Sequence, residues 1–282
     1  MEQISSSEKI DLVIGKATVP SEKHPEYNED RVWENPAAQA VGICDGMGGR
    51  AGAERAASIV ADALASNFDV RGESIEEKDQ AIEKIVRDAN ELILAEAQKN
   101  PELCKMATTL AFLVFDVAEG KPIAFVGNVG DSRVYLKKSS APIQAVTLDH
   151  SNDWLFNRDT KKAWELQKKL SEVTKASQLR GDDRYSFEER NILGQVMGRS
   201  LKEVSVYVIS DFSEGDTFVL SSDGIHDNLT DNELNNILSN DEQPQRLAEL
   251  ITEAATKKSK SRSIRAKKDD MSVIVVRVGR FG

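Results

Sequence analysis

Between residues 108 and 148 the apolar pattern leaves helical spacing and becomes a run of short strand-like segments, and this change bounds what the chain can fold into. TTLAFLVFDV (108–117), KPIAFVGNVG (121–130), SRVYLKK (132–138) and IQAVTL (143–148) are rich in β-branched and aromatic residues. Turn signals such as Glu119-Gly120-Lys121-Pro122 part them, so they predict an antiparallel meander. Strands return at VSVYVI (204–209), DTFVLSS (216–222) and MSVIVVRV (271–278). Helical spacing predicts helices over 50–68, over 74–99 behind the capping box Ser74 and Glu77, and over about 243–258. Capping-box spacings at Ser186 with Glu189 and at Thr230 with Glu233 predict two more helix starts. Residues 154–178 are polar and Lys-rich, with Trp154, Leu155, Leu166 and Leu170 at loosely helical spacing, which predicts a surface helix. This order describes a sheet-rich α+β fold, not an alternating βαβ chain.

Composition removes several classes of function. The 282 residues are 40% hydrophobic, with 17 glycines and no repeat or linker, so one domain over residues 1–282 is expected. No apolar run approaches the ~20 residues of a membrane span, and the first residues, MEQISSSEKIDLVIG, lack the apolar core of a secretory signal. A cytoplasmic protein that does not contact the membrane is expected. Cys44 and Cys104 show no metal-ligand spacing and are expected to be reduced, buried thiols. With 37 basic against 47 acidic residues, the formal charge of −10 disfavours nucleic acid as a partner. A monomer is favoured.

The acidic residues are not evenly dispersed. Asn28-Glu29-Asp30-Arg31, Cys44-Asp45-Gly46, Ser222-Asp223-Gly224 and Lys268-Asp269-Asp270 each place an Asp at a turn or strand end beside small or polar residues. Asp131, in GNVGDSR, and Asp227 add two more. A single Asp-Gly pair is an ordinary turn, but Asp45 and Asp223 each emerge from an apolar strand-like segment. Carboxylates gathered in one place repel and take up protons unless cations neutralise them. An oxygen-only donor set suits Mg²⁺ or Mn²⁺ better than Zn²⁺.

The ordered set NEDR (28–31), ICDGMGGRAGAERAA (43–57), ATTLAFLVF (107–115), VGNVGDSRVYL (126–136), LDHS (148–151), NILGQVMG (191–198), FVLSSDGIHDNLTDNEL (218–234) and DDMSVIVV (269–276) spans nearly the whole chain. It resembles the metal-dependent protein serine/threonine phosphatases of type 2C, the PPM family, in bacterial style. The resemblance implies a β-sandwich of two antiparallel sheets flanked by helices, an α-β-β-α four-layer fold, with a centre of two Mn²⁺ or Mg²⁺ ions at one end. It implies hydrolysis of phosphoserine and phosphothreonine in phosphoproteins by a water activated at that centre. Asp45 matches the carboxylate shared by the two metals, Gly46 the backbone carbonyl ligand, and Asp223 and Asp269 the ligands of the first metal. Asp30 matches the acidic residue that reaches water at the centre, with Glu29 in support. Asp131, Asp223 and Asp227 match the trio that holds a third, looser metal in many relatives.

Three departures stand out. Pro25 occupies the position where the family usually carries a phosphate-gripping Arg, and Lys23, His24, Arg31 and Lys16 are the local basic replacements. Met47 stands where eukaryotic relatives often have a His, while His150 and His226 are expected to be structural. Residues at about 151–184 form a divergent flap-like segment, either a solvated helix or an element for substrate choice or docking. The basic tract KKSKSRSIRAKK (257–268) is either a solvated loop or a steering charge for phosphoproteins. The alternative function is a catalytically weak or inactive phosphoprotein-binding regulator of the same fold. A convergent nuclease is opposed by the acidity and the motif order.

Overall fold

The computed structural model describes residues 9–281 apart from 71, 73, 119 and 152–158. Its strands are β1 (Ile10–Val19), β2 (Arg31–Asn35), β3 (Ala40–Cys44), β4 (Gly46–Met47), β5 (Ala107–Thr108), β6 (Leu110–Ala118), β7 (Lys121–Val129), β8 (Arg133–Lys137), β9 (Gln144–Ala145), β10 (Ser205–Ile209), β11 (Thr217–Ser221) and β12 (Met271–Phe281). The helices are α1 (Arg50–Asn67), α2 (Ile75–Lys99), α3 (Thr160–Ser171), α4 (Asp182–Glu188), α5 (Asp223–His226), α6 (Asp231–Leu238) and α7 (Pro244–Ser259). Two five-stranded sheets, ordered β1-β12-β11-β8-β9 and β10-β7-β6-β3-β2, pair antiparallel throughout.

The uninterrupted apolar strands are explained by burial on both faces. Along β6, Ala111, Leu113 and Phe115 face the other sheet, where they join Val41, Ile43, Phe218 and Ile274. The alternate residues Leu110, Phe112 and Val114 pack on Val60 and Leu64 of α1 and Ile82, Val86 and Ile93 of α2. β12 repeats this on the opposite sheet, with Ile274 and Val276 turned inward and Val273 and Val275 against Leu247 and Ile251 of α7. Period-two alternation puts each strand into two cores at once, which yields the four layers α-β-β-α.

The expected meander is divided. β6 and β7 form a hairpin, but β8 crosses to the other sheet beside β11. Gly130 at positive φ and the buried Asp131-Ser132 turn make that crossing. Of 143–148 only Gln144 and Ala145 pair as strand. The helix expected over 154–178 runs over Thr160–Ser171; Trp154 and Leu155 lie outside the described residues. Ser186 does not start a helix: α4 begins after Gly181 and Glu189 caps its end. The boxes at Ser74–Glu77 and Thr230–Glu233 form with both reciprocal bonds. Cys44 is buried as expected, but Cys104 is exposed, because it lies in the loop between α2 and β5. Among the described residues no helix is long and apolar enough to cross a membrane.

Strand β1, not anticipated from the sequence, is an edge strand paired with β12 over its full length. Its outer side is covered by α7: the Gln245 amide accepts from Lys16 N at 3.0 Å and donates to Lys16 O at 3.1 Å. That closeness requires Gly15, where a Cβ would stand 2.2 Å from the Pro244–Gln245 backbone. Gly15→Ala is therefore expected to push α7 off the sheet and destabilise the fold by about 1–3 kcal/mol. A urea midpoint equal to that of the parent would contradict this packing.

Candidate metal centre

Each predicted acidic residue stands where a strand ends or a loop meets the same end of the sandwich. Asp45 follows β3, and its backbone is fixed on both sides: its N–H donates to Thr109 Oγ1 at 3.1 Å, and its carbonyl accepts from Thr109 N at 2.8 Å and Thr108 Oγ1 at 2.9 Å. The next residue, Gly46, lies between α1 and the 28–31 loop, where a Cβ would meet Ala53 O at 2.3 Å and Glu29 O at 2.8 Å. Only glycine fits there without moving the Ala53 or Glu29 backbone. Asp223 opens α5 directly after β11, and Asp227 caps that turn. Asp269 precedes β12.

The 21–30 loop is tied to this end by Asp270. Its carboxylate accepts from Ser21 N at 2.7 Å and Glu29 N at 2.6 Å. Asp30 is buried, with Oδ2 accepting from Ser222 Oγ at 2.8 Å.

The electrostatics place the six aspartates in one neighbourhood. Burial raises the Asp45 carboxyl well above its ordinary range, and Asp30, Asp223, Asp269 and Asp131 push it further. Asp131 is raised well above its range by burial and then by Asp223, with Asp149 and Asp227 adding to it and Lys267 opposing. Burial lifts Asp30 to about 8, with the nearby Ser272 and Ser222 hydroxyls opposing and Asp270 and Asp223 adding repulsion. Asp223 rises to about 6, again chiefly through burial, with Lys267 opposing. Asp227 goes the other way: burial is overcome by Lys267 and Arg190, which hold it below the carboxylate range.

An oxygen-only set of this kind fits a hard divalent cation. Two of its oxygens, Asp30 Oδ1 and Asp223 Oδ1, are buried without any hydrogen-bond partner, a costly arrangement for carboxylates unless a cation meets them. The set is not closed to ligand spacing, however. Among the described residues the trio whose ligand atoms lie within 4.8 Å of one another is His24, Glu29 and Asp270. That trio is already engaged, since His24 Nδ1 lies 3.2 Å from Tyr27 O and both Asp270 oxygens accept backbone N–H groups.

Lys267, not singled out by the sequence pattern, bridges three of the aspartates. Its ammonium contacts Asp223 Oδ2 and lies 3.2 Å from Asp227 Oδ2 and 3.3 Å from Asp269 Oδ2. Burial disfavours that charge, but Asp223, Asp227, Asp269 and Asp131 together hold its pKa well above the usual lysine range.

The basic residues expected near the phosphate separate into groups. Arg31 is used inside the fold, donating to Ser58, Asn28 O, Asp30 O and Glu54. Lys16 lies on β1 and pairs with Glu34 at 2.7 Å. Lys23 is exposed, and His24 stacks on Tyr27 at 4.3 Å. Arg50 also belongs to this group: its guanidinium covers the Tyr27 ring at 4.2 Å and has no ion-pair partner among the described residues. Its place directly after Gly48-Gly49 was the only sequence signal for it.

His150 and His226 are buried and kept neutral, His150 near 4 and His226 well below its ordinary value, in both cases chiefly by desolvation. Ser205 Oγ lies 2.9 Å from His150 Nε2, and Ser221 Oγ lies 2.9 Å from His226 Nδ1. Both rings are enclosed in the fold by these hydrogen bonds. Glu29 is half-buried, and its carboxyl is raised by partial desolvation.

The flap-like segment is anchored on this same end. Gln167 of α3 accepts from Asp149 N at 2.8 Å and donates to Thr147 O at 3.0 Å, and Ser171 donates to Asp231 at 2.7 Å. Val173, Leu179 and Phe187 form a small core beneath it. Arg190 reaches Asp227 Oδ1 at 2.8 Å. A cavity of about 120 Å³, lined in part by Arg133, Asp149, Gln167, Arg190 and Arg265, separates α3 from the sandwich. The basic tract at 257–268 is partly engaged in the fold: Arg265 is buried and donates to four backbone carbonyls, while Lys260 and Lys268 share Glu22 at 2.7 and 3.3 Å.

Known proteins resemble this chain in sequence and in fold. The chain is 29% identical over 220 residues to the serine/threonine phosphatase stp of Listeria monocytogenes serovar 1/2a, covering 75% of this chain and 77% of the relative. It is 28% identical over 206 residues to the serine/threonine protein phosphatase PstP of Mycobacterium tuberculosis (strain H37Rv), covering 72% of this chain and 34% of that protein. The catalytic domain of PstP, solved in complex with two manganese ions, superposes with a TM-score of 0.72 at 22% identity, covering 96% of this chain and all of that one. Stp1 from Staphylococcus aureus superposes at 0.74 with 24% identity, covering 99% of this chain and all of that one. These structures share the fold. A family model described as protein phosphatase 2C matches residues 25–265, a span that contains Asp30, Asp45, Asp131, Asp223 and Asp227. Since the match covers most of the chain, the chain belongs to the protein phosphatase 2C family.

Proposed function

We propose that this protein phosphatase hydrolyses phosphoserine and phosphothreonine in phosphoproteins, with two Mn²⁺ or Mg²⁺ ions held by Asp45, the Gly46 carbonyl, Asp223 and Asp269. The observation that carries this reading is the convergence of acidic side chains on one end of the sandwich, with buried Asp30 Oδ1 and Asp223 Oδ1 left without partners. The two-manganese PstP structure supports the ion count. When bound, such ions neutralise phosphoryl oxygens and lower the pKa of a shared water.

The chain's own residues supply the rest. Asp45, fixed through Thr108 and Thr109, stands in a set position between Gly46 and the sheet. Asp30, held at Oδ2 by Ser222, would take up the proton of the attacking water once bound cations keep its carboxyl ionised. Glu29 stands at the half-buried edge in support. Arg50, held over Tyr27, replaces the guanidinium missing at Pro25 and grips the substrate phosphate, with His24 and Lys23 beside it. The protein acts as a cytoplasmic monomer, and its formal charge of −10 favours phosphoproteins over nucleic acid as partners. The inactive-regulator alternative is disfavoured by the retained aspartates and by the phosphatase names of the sequence relatives.

Mn²⁺-dependent hydrolysis of a phosphothreonine peptide tests the reading. Asp45→Asn and Asp223→Asn are expected to lower kcat/KM by at least about 100-fold, since altered partners of metal ligands alone cost about 10- to 100-fold. Hydrolysis unaffected by both substitutions would remove the metal assignment, and no hydrolysis by the parent at any Mn²⁺ concentration would restore the regulator alternative.

Arg50→Ala is expected to raise KM for the peptide about tenfold, the loss of one charge-assisted hydrogen bond. Arg50→Lys should recover only part of that affinity. Unchanged KM in Arg50→Ala would return the phosphate grip to His24 and Lys23.

Without divalent ions, the raised carboxyls make stability depend on pH. Asp30 at about 8 and Asp223 at about 6 lie above the ~3.9 of an unfolded Asp. The native chain therefore binds more protons than the unfolded one across that interval. Their contribution is complete below about pH 4 and is lost as pH rises through about 6 and 8. In EDTA, Tm is expected to fall between pH 5 and 8.5, and saturating Mn²⁺ is expected to remove most of that fall. A metal-free Tm that rises over the same window would contradict the clustering.

A further inference from the structure

Lys267 enters the acidic cluster from a fixed backbone. Its N–H donates to Asn228 Oδ1 at 3.0 Å, and its carbonyl accepts from Asn228 Nδ2 at 2.9 Å. Asn228 is fully buried and follows Asp227 directly, so the lysine backbone and the segment bearing Asp223 and Asp227 form one braced unit. From there the ammonium reaches Oδ2 of Asp223, Asp227 and Asp269. The other Asp227 oxygen accepts from Arg190 Nε at 2.8 Å, so both Asp227 oxygens are already on side-chain cations. Asp223 is used differently: Oδ2 meets the lysine, while buried Oδ1 is left without a partner.

We propose that Lys267 Nζ is the resident cation of the Asp131–Asp223–Asp227 end of the cluster, so that this chain binds two divalent ions and excludes a third. The proposal rests on the dinuclear reading given above. Lys267 contacts Asp223 and Asp227 of that end, Arg190 contacts Asp227, and Asp131 feels the lysine charge without touching it. A divalent ion placed there would have to displace the ammonium from the carboxylates it now neutralises. The two-ion side keeps what it needs: Asp45, Asp223 through Oδ1, and Asp269. The Asp269 side chain is 39% exposed and makes the longest of the three lysine contacts, so it is the carboxylate freest to turn away. An ammonium also differs chemically from the ion it replaces. It neutralises charge and directs hydrogen bonds but polarises no water, so this end organises the site without acting as a Lewis acid.

Bound Mn²⁺ per chain, measured by equilibrium dialysis with metal analysis on the full chain, separates the possibilities. The parent is expected to hold two ions and Lys267→Met three, because Met preserves length and removes charge. In EDTA, Lys267→Met is also expected to melt below the parent and to gain more from added Mn²⁺. Equal ion counts in parent and variant, or three ions in the parent, would overturn the proposal. Should Lys267→Met not fold, Lys267→Gln replaces it and is read by the same counts. Asp45→Asn in the same dialysis separates this proposal from the dinuclear reading: two ions retained there would sink that reading while leaving the parent-to-Lys267→Met difference legible.

Discussion

Repulsion among buried carboxylates is the constraint around which this structure is arranged. Two unit charges 4 Å apart at an effective dielectric of about 20 interact by about 4 kcal/mol, whereas a whole domain is stable by only about 5–15 kcal/mol. Six aspartates at one end of a sandwich cannot all remain ionised against such terms without protons or cations. The chain answers with both. Asp30, Asp45, Asp131 and Asp223 are shifted toward their protonated forms. Asp227, with Lys267 and Arg190 on its two oxygens, stays ionised. A divalent ion can then enter by displacing protons, which keeps the site chargeable without requiring the scaffold to yield.

The scaffold resists because every acidic residue is fixed through something deeper. Both faces of β6 and β12 are buried, so neither sheet can slide without opening two cores. Onto that frame Thr108 and Thr109 lock Asp45, Ser222 locks Asp30, Asp270 ties the 21–29 loop, and Asn228 ties the segment before β12. The flap-like segment joins the same network: the buried pair Arg133–Asp149 at 2.6 Å lies under Gln167, and Arg190 runs from the flap to Asp227. A change in flap position would therefore alter the charge balance at Asp227 as well as the shape of the cleft.

What could be read from the sequence follows the range of each interaction. Strands β6, β7, β11 and β12 were legible because doubly buried strands give unbroken β-branched and aromatic runs. The capping boxes at Ser74 and Thr230 were legible because they close within four residues. The box spacing at Ser186 misled, since Gly181 starts α4 one turn earlier and the Ser186–Glu189 spacing falls across its end. Edge strand β1 escaped because its exposed Asp11, Val13 and Lys16 blur the alternation, and only α7 and β12 define it. The six aspartates were visible through motif order. Arg31 and Lys267 could not be sorted from sequence, because both are basic residues next to acidic motifs, and only the fold turns one toward Glu54 and the other into the cluster.

The location of charge matters more for function than the total of −10. Most of the basic tract before Asp269 does not project toward a substrate: Arg265 is sealed under the flap, Lys260 and Lys268 are paired with Glu22, and Lys267 faces inward. Pairing reduces the charge this tract presents at a distance, while Lys257 and Arg262 stay exposed. In the function proposed above, attraction of a phosphate falls to the centre itself and to the cations beside Tyr27. Among those, Arg50 alone combines a planar guanidinium with an aromatic support and no ion-pair partner among the described residues. Bidentate recognition of a phosphate needs that geometry, and neither an ammonium nor an imidazole provides it.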